Sequence, residues 1–210
     1  MLRSRSKKLP QHERKNAAML LSAFNEEFNR SEPVTLVCKI FNSDESVSVQ
    51  DEVSRLGLRS TGGRINLLLN EVIPYDELPV FYRSFDCYIA ASRGEGWNLP
   101  LMEAMACGLP AIATDWGGHR EYIHAGIAYP LEIRGLVPAV SRCTYYRDHH
   151  WSDPDPEHLR YLMRSIYENR DEAMKRGAAA AKEIRALWTW TRTAERIVSR
   201  LKGIAAFPFN

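Results

Sequence analysis

Short apolar runs alternate with amphipathic segments along most of the chain. Val34-Thr35-Leu36-Val37-Cys38 and Cys87-Tyr88-Ile89-Ala90-Ala91 are near-continuous apolar stretches, as expected of strands buried on both faces. Segments of helical period lie between them. The pattern predicts a helix at 14–29, a strand at 34–41, a helix near 47–57, a strand at 65–70 and a short helix at 76–84. It continues with a strand at 85–91, a helix at 99–107, a strand at 110–114, a short helix near 119–124 and a weak strand at 127–130. Such alternation implies an α/β domain built on a doubly wound parallel sheet with helices on both faces. The stretch 131–153 reads as irregular, and trailing helices follow near 155–169, 171–187 and 191–202, with Asp155 and Asp171 as caps.

Composition narrows the class. At 210 residues, 45% apolar and 26% charged, the chain is long enough for one globular α/β domain and short for a two-domain enzyme. A net charge of +2 makes no case for a nucleic-acid partner. Cys38, Cys87, Cys107 and Cys143 lack paired spacing and read as core residues in a reducing compartment, not as a metal site. No apolar run reaches the length of a transmembrane segment, and the basic start is not followed by a signal segment, so a cytoplasmic location is expected. Arg3, Arg5, Lys7 and Lys8 leave a peripheral seat on anionic lipid open. The expected division is a disordered basic start at 1–12, one domain at 13–202 and a tail at 203–210.

Candidate chemistry concentrates in Arg93-Gly94-Glu95-Gly96-Trp97-Asn98-Leu99-Pro100-Leu101-Met102-Glu103, an acidic, glycine-flanked turn running into a helix start. Asn98 is a suitable N-cap, Pro100 fits the first turn, and Gly108 and Pro110 stop the helix. Free N–H groups at such a helix end, from Gly96 to Leu99, favour phosphate. Glycines at 94 and 96 would let a ligand approach the backbone. A carboxylate beside phosphate is repelled by it, so Glu103 suits neutral hydroxyls such as those of ribose, and Glu95 would face a sugar. The alternative is an ordinary capped helix.

These residues resemble the retaining glycosyltransferases of family 4, whose paired glutamates match Glu95 and Glu103, with Ser-Arg-Gly-Glu-Gly-Trp and Glu-Ala-Met-Ala-Cys-Gly-Leu-Pro around them. The similarity runs from about Glu13 to Leu201. It implies the Rossmann-like C-terminal half of a GT-B enzyme, transferring a hexose with retention from a nucleotide-diphosphate sugar to a saccharide or lipid-linked acceptor. By that resemblance Glu103 binds the ribose and Glu95 contacts the donor sugar near the reacting carbon. The amides of Gly96, Trp97, Asn98 and Leu99 hold the diphosphate, and Lys15 with Arg14 neutralises it as it leaves. The backbone at Val72 and Ile73 meets the nucleobase. No cofactor beyond the donor is implied, and no metal: no Asp-x-Asp stands at the end of a predicted strand, and cations take the metal's part.

Gly117 and Gly118 follow a strand at the edge where open α/β sheets bind ligands and are candidates for the sugar side, or form a plain turn. Trp97 either flanks the donor or covers the helix end. His149 and His150, adjacent in sequence, do not suit one metal ion, and Trp151 reads as a packing anchor. One departure from the family pattern stands out: residues 1–13 offer no apolar run for the first central strand expected before Arg14. That strand would lie between 34–41 and 85–91, so its absence leaves those edges unpaired or forces them together. A separate N-terminal acceptor domain or subunit is the expected partner. The rival reading is a non-catalytic nucleotide-sugar-binding module.

Overall fold

The computed structural model describes residues 14–42, 48–139 and 144–205; Arg3, Arg5, Lys7, Lys8 and Cys143 lie outside them. The chain begins with α1 (Ala17–Glu27), β1 (Thr35–Ile40), α2 (Val49–Ser54), β2 (Arg64–Leu69), α3 (Leu78–Arg83) and β3 (Tyr88–Ala90). It continues through α4 (Leu99–Ala106), β4 (Ala111–Thr114), a 3₁₀ turn (Gly118–Glu121) and β5 (Tyr129–Leu131). A hairpin of β6 (Ile133–Pro138) and β7 (His150–Pro154) precedes α5 (Pro156–Glu168), α6 (Arg170–Leu187) and α7 (Trp190–Ala205). The alternating helices and parallel strands are those the apolar pattern predicts.

Local chemistry sets several boundaries. The Ser48 hydroxyl accepts from the Asp51 N–H, with Asp51 and Glu52 in the first turn of α2. Asp155 caps α5 by accepting from the N–H groups of Glu157 and His158, as expected. Three expectations are corrected. Asn169, not Asp171, stands at the N-cap of α6, and Asp171 lies within the first turn. The segment after Gly117 makes only a 3₁₀ turn, because the His119 imidazole turns back onto the Thr114 carbonyl at 2.6 Å. The stretch read as irregular holds the antiparallel β6–β7 hairpin, with a register shift between Ile133 and Leu136, so an Asp-x-Asp, Asp153-Pro154-Asp155, does stand at a strand end, where Asp153 pairs with Arg93 and Asp155 with Arg134. Gly135, that shift and the polar face of His150-Trp151-Ser152-Asp153 erase the alternation by which a strand is read.

The sheet comes in two parts. β1 pairs in parallel with β2 from Thr35 opposite Arg64 to Ile40 opposite Leu69, and β3, β4 and β5 form a separate parallel sheet with β4 central. β1 and β3 are not hydrogen-bonded to each other. They are nonetheless neighbours: Leu36 and Ala91 belong to one apolar cluster, and Cys38 acts electrostatically on the Tyr88 hydroxyl. Among the described residues, the two edges flanking the expected central strand are therefore left unpaired.

Helices bind the parts together. Leu21, Phe24 and Phe28 of α1 and its end meet Leu159, Leu162, Met163 and Ile166 of α5 in one cluster with Ile112 and Leu131. Arg164 reinforces this contact, reaching Glu27 at 2.8 Å and Glu32 at 2.6 Å with its guanidinium over the Phe28 ring. On the other face, Leu101 and Met105 of α4 pack with Ala180 and Ile184 of α6. Burial pushes up the thiols of Cys38 and Cys87, which behave as core residues.

α6 approaches α4 through Gly177, where an added Cβ would collide with the Gly108 carbonyl. Helix propensity alone predicts that Gly177→Ala stabilises by about 1 kcal/mol. Backbone collision outweighs that gain, so the substitution is expected to destabilise by about 1–3 kcal/mol, read from denaturant midpoints at unchanged m-value.

Candidate functional site

Residues 92–98, between β3 and α4, are braced from four directions. The Arg93 N–H donates to the Arg14 carbonyl at 2.8 Å, and the Asn16 amide donates to the Ala91 carbonyl at 3.1 Å. Asn16 takes a left-handed conformation (φ 58°) just before α1, which seats the start of that helix against the end of β3. From the hairpin, the Ser152 N–H and hydroxyl both donate to the Arg93 carbonyl, and Arg93 pairs with Asp153 at 3.1 Å. Gly118 donates to the Glu95 carbonyl at 3.0 Å. The Tyr122 hydroxyl donates to the carbonyls of Trp97 at 2.7 Å and Asn98 at 3.0 Å.

Glu95 sits at the centre of this brace. Its carboxylate is 6% exposed and accepts from Lys15 at 2.6 Å through one oxygen and from Arg14 at 3.0 Å through the other. Arg14 also donates to the Gly94 carbonyl at 2.6 Å. Burial alone would raise the Glu95 pKa; hydrogen bonds from Lys15 and Ser92 and the charges of Lys15 and Arg14 outweigh it and hold the group below its ordinary value. Lys15 remains half-exposed, so the cation pair faces both Glu95 and solvent.

Immediately beyond, the N–H groups of Gly96, Trp97, Asn98 and Leu99 meet no acceptor among the described residues. They form the N-terminal end of α4, where partial positive charge and free donors favour an anion. Asn98 stands at the N-cap in a left-handed conformation (φ 62°), yet its side chain makes no capping bond and its amide nitrogen is buried without a partner. The expected side-chain cap is thus corrected: the Asn98 carbonyl, accepting from Leu101, Met102 and Tyr122, does the anchoring.

Glu103, four residues into α4, is half-buried, and its Oε2 accepts from the Tyr82 hydroxyl at 2.9 Å. Burial raises the Tyr88 hydroxyl, and Glu95 and Glu103 both raise it further, so the two carboxylates act on one tyrosine. The glutamates predicted from spacing thus lie in one neighbourhood, and Lys15 and Arg14 join them from a site 80 residues away in sequence. Val72 and Ile73 follow β2 at the C-terminal edge of their sheet, Val72 being exposed.

The glycines separate into two kinds. A Cβ at Gly118 would strike the Gly96 carbonyl, one at Gly117 would come within 3.0 Å of the Glu95 carbonyl, and one at Gly94 within 3.1 Å of Trp151. These three are small so that the turn packs closely, Gly94 against the Trp151 ring. Gly96 has open space beside it. Trp97 packs between Tyr122 and Trp188, each ring centroid at 5.4 Å. Trp151 is buried against the turn, the anchor role expected of it.

Sequence reasoning missed Tyr82, Ser92, His119 and Tyr122. His119 is fully buried; burial lowers its pKa, and its Nδ1 has no partner. None of the four stands at a spacing that announces a contact; only the glycine pair before His119 marked its surroundings.

Comparison with known proteins identifies the family and the fold. A family model described as glycosyl transferases group 1 matches residues 8–143. Mannosylfructose-phosphate synthase of Agrobacterium fabrum is 26% identical over 168 residues, 80% of this chain and 33% of that protein. The C-terminal domain of a glycosyl transferase group 1 family protein from Francisella tularensis superposes with a TM-score of 0.62 at 18% identity, over 84% of this chain and 81% of that one. Anabaena HepE in complex with UDP-glucose gives a TM-score of 0.64 at 17% identity, over 90% of this chain and 46% of that one. The chain spans a third of the length of the mannosylfructose-phosphate synthase it matches.

The buried ion pair has a pH signature. Because Glu95 lies below its ordinary value of 4.5 in the folded state, its stabilisation is present above that value and is lost as pH falls through the folded-state pKa. Hydrogen bonds from Arg164 and Arg134 lower Glu32 and Asp155 and add to the same slope. Glu95→Gln should therefore flatten, without abolishing, the fall in melting temperature as pH drops from about 5 to 3, measured by calorimetry.

Proposed function

Because the chain belongs to the glycosyl transferases group 1 family, we propose that it is the donor-binding half of a retaining hexosyltransferase that takes its sugar from a nucleotide diphosphate. The observation carrying this reading is the convergence of Lys15 and Arg14 on Glu95 beside the unpaired amides of α4. In this reading the diphosphate lies on those amides and the two cations, the ribose on Glu103, the base against Val72 and Ile73, and the sugar beside Glu95 with Gly117 and Gly118 behind it. The bond from the anomeric carbon to the diphosphate oxygen breaks, and its electron pair leaves with the diphosphate. An acceptor hydroxyl forms the new bond on the same face and gives its proton to the departing oxygen. Charge grows on the diphosphate in that step, which is where fixed cations and amides accelerate a reaction.

A cytoplasmic site of action with an acceptor saccharide or lipid-linked acceptor follows from the same reading, and no helix among the described residues is long and apolar enough to cross a membrane. We propose that a polypeptide outside the described residues completes the enzyme. Two uncovered surfaces support this: the facing edges of β1 and β3, and an apolar stripe of Trp190, Ile197, Val198, Leu201 and Ile204 exposed along α7. In the 210-residue chain alone, alternate amides of β1, those not bonded to β2, should exchange hydrogen much faster than their paired neighbours. Uniform protection along β1 would contradict an open slot.

A melting-shift series with UDP, GDP and ADP tests the donor reading, since a ligand at 100 times its dissociation constant stabilises by about 2.7 kcal/mol. Lys15→Ala should weaken the best ligand roughly tenfold or more, as expected for a charge-assisted bond. Glu95→Gln should keep or tighten it, because the cations lose an internal competitor, while abolishing transfer in the completed enzyme. Binding without transfer when an acceptor half is supplied would favour the non-catalytic module; no shift with any of the three would overturn the reading.

A further inference from the structure

Glu103 and Glu95 are held in opposite ways. Glu95 has both oxygens committed to cations, whereas Glu103, among the described residues, has one oxygen on a neutral donor, the Tyr82 hydroxyl. Tyr82 belongs to α3, 21 positions earlier, so this bond is a tertiary contact and not a feature of the helix bearing Glu103.

Tyr82 itself is fixed. It is 7% exposed, its ring meets Tyr88 edge-on at 6.0 Å, and Ala104 and Leu109 of the α4 region pack with it in one cluster. A ring so enclosed presents its hydroxyl along one direction. Burial, together with the hydrogen bond to Glu103, raises its pKa far above the ordinary value, so it remains a protonated donor at any working pH.

A glutamate in the first turns of a helix rotates about three side-chain bonds, and ordering such a side chain on binding opposes affinity. The Tyr82 bond removes much of that freedom beforehand. With Oε2 engaged, Oε1 is left as an acceptor-only atom, which suits the hydroxyls of a vicinal diol. We propose that Tyr82 is a positioning residue: it orients the Glu103 carboxylate for the ribose diol of the donor and thereby makes the site selective for ribonucleotides. This rests on the assignment of Glu103 to the ribose made above.

The test uses the full 210-residue chain and the tightest binder among UDP, GDP and ADP, each compared with its 2′,3′-dideoxy counterpart by calorimetry. Tyr82→Phe keeps the ring and removes the hydroxyl. It should weaken the ribonucleotide about three- to tenfold and leave the dideoxynucleotide unchanged, with the KM of the completed enzyme rising while kcat holds. In a Glu103→Gln background the effect of Tyr82→Phe should shrink, since the two act as one unit. Equal weakening of both ligands, or an undiminished effect in the Glu103→Gln background, would make Tyr82 a structural residue only and overturn the proposal. If Glu103→Gln itself fails to distinguish the two ligands, the ribose assignment falls, and this inference with it. Failure of all three nucleotides to bind counts against the donor reading as a whole.

Discussion

A carboxylate with 6% exposure persists as an anion only where cations and donors replace the water it has lost, and Glu95 meets that condition through Lys15, Arg14 and Ser92. This one requirement joins distant parts of the chain. Because Glu95 must meet Lys15 and Arg14, the segment before α1 is held at the end of β3, and Asn16 and Arg14 secure it there with their own bonds to Ala91 and Arg93. The turn so fixed aims the start of α4, which in turn sets Glu103 against Tyr82. Loss of either cation would leave a buried charge short of partners, a larger penalty than the worth of the pair itself.

The same arrangement gives the cations two partners in competition. In the free protein they face an internal anion, and an incoming phosphate would share or displace it. The amides at the head of α4 are outside that contest, since the N–H groups of Gly96 to Leu99 donate to no acceptor among the described residues. On the proposed reading, a diphosphate would therefore be oriented first by backbone, whose geometry is held by Tyr122, Gly118 and Trp151, and only then by the half-exposed Lys15. This division suits a group whose charge rises as it departs: the backbone defines its position, and the cations respond to its charge.

Much of this was legible in sequence, for a physical reason. Strands buried on both faces and amphipathic helices leave one-dimensional patterns, so the order from α1 to β5 and the three trailing helices could be read, as could the turn before α4. The β6–β7 hairpin could not, because a bulge and polar faces remove its period. Asn98 shows a subtler limit. Its identity fits a cap, but its left-handed backbone uses the asparagine for φ and leaves the amide without a partner. Glycine is similarly ambiguous: Gly94, Gly117 and Gly118 serve packing, and Gly96 leaves open space, a difference set by what lies across the gap. Tyr82 illustrates contacts with no sequence signal at all, since its partner stands on another helix.

The split sheet bears directly on the site. β1 and β3 belong to different sheets, and Asn16 anchors the start of α1 at the C-terminal end of β3, beside the unpaired edge. On the proposed reading, a completing strand laid parallel along that edge of β3 would run toward the segment that carries Arg14 and Lys15. Such a strand would bear on the segment whose cations hold Glu95, and the backbone at Arg14 is itself bonded to Arg93, which ties that segment to the turn. Completion of the sheet and placement of the cation pair are thus one structural problem, because the same few residues terminate the first and supply the second.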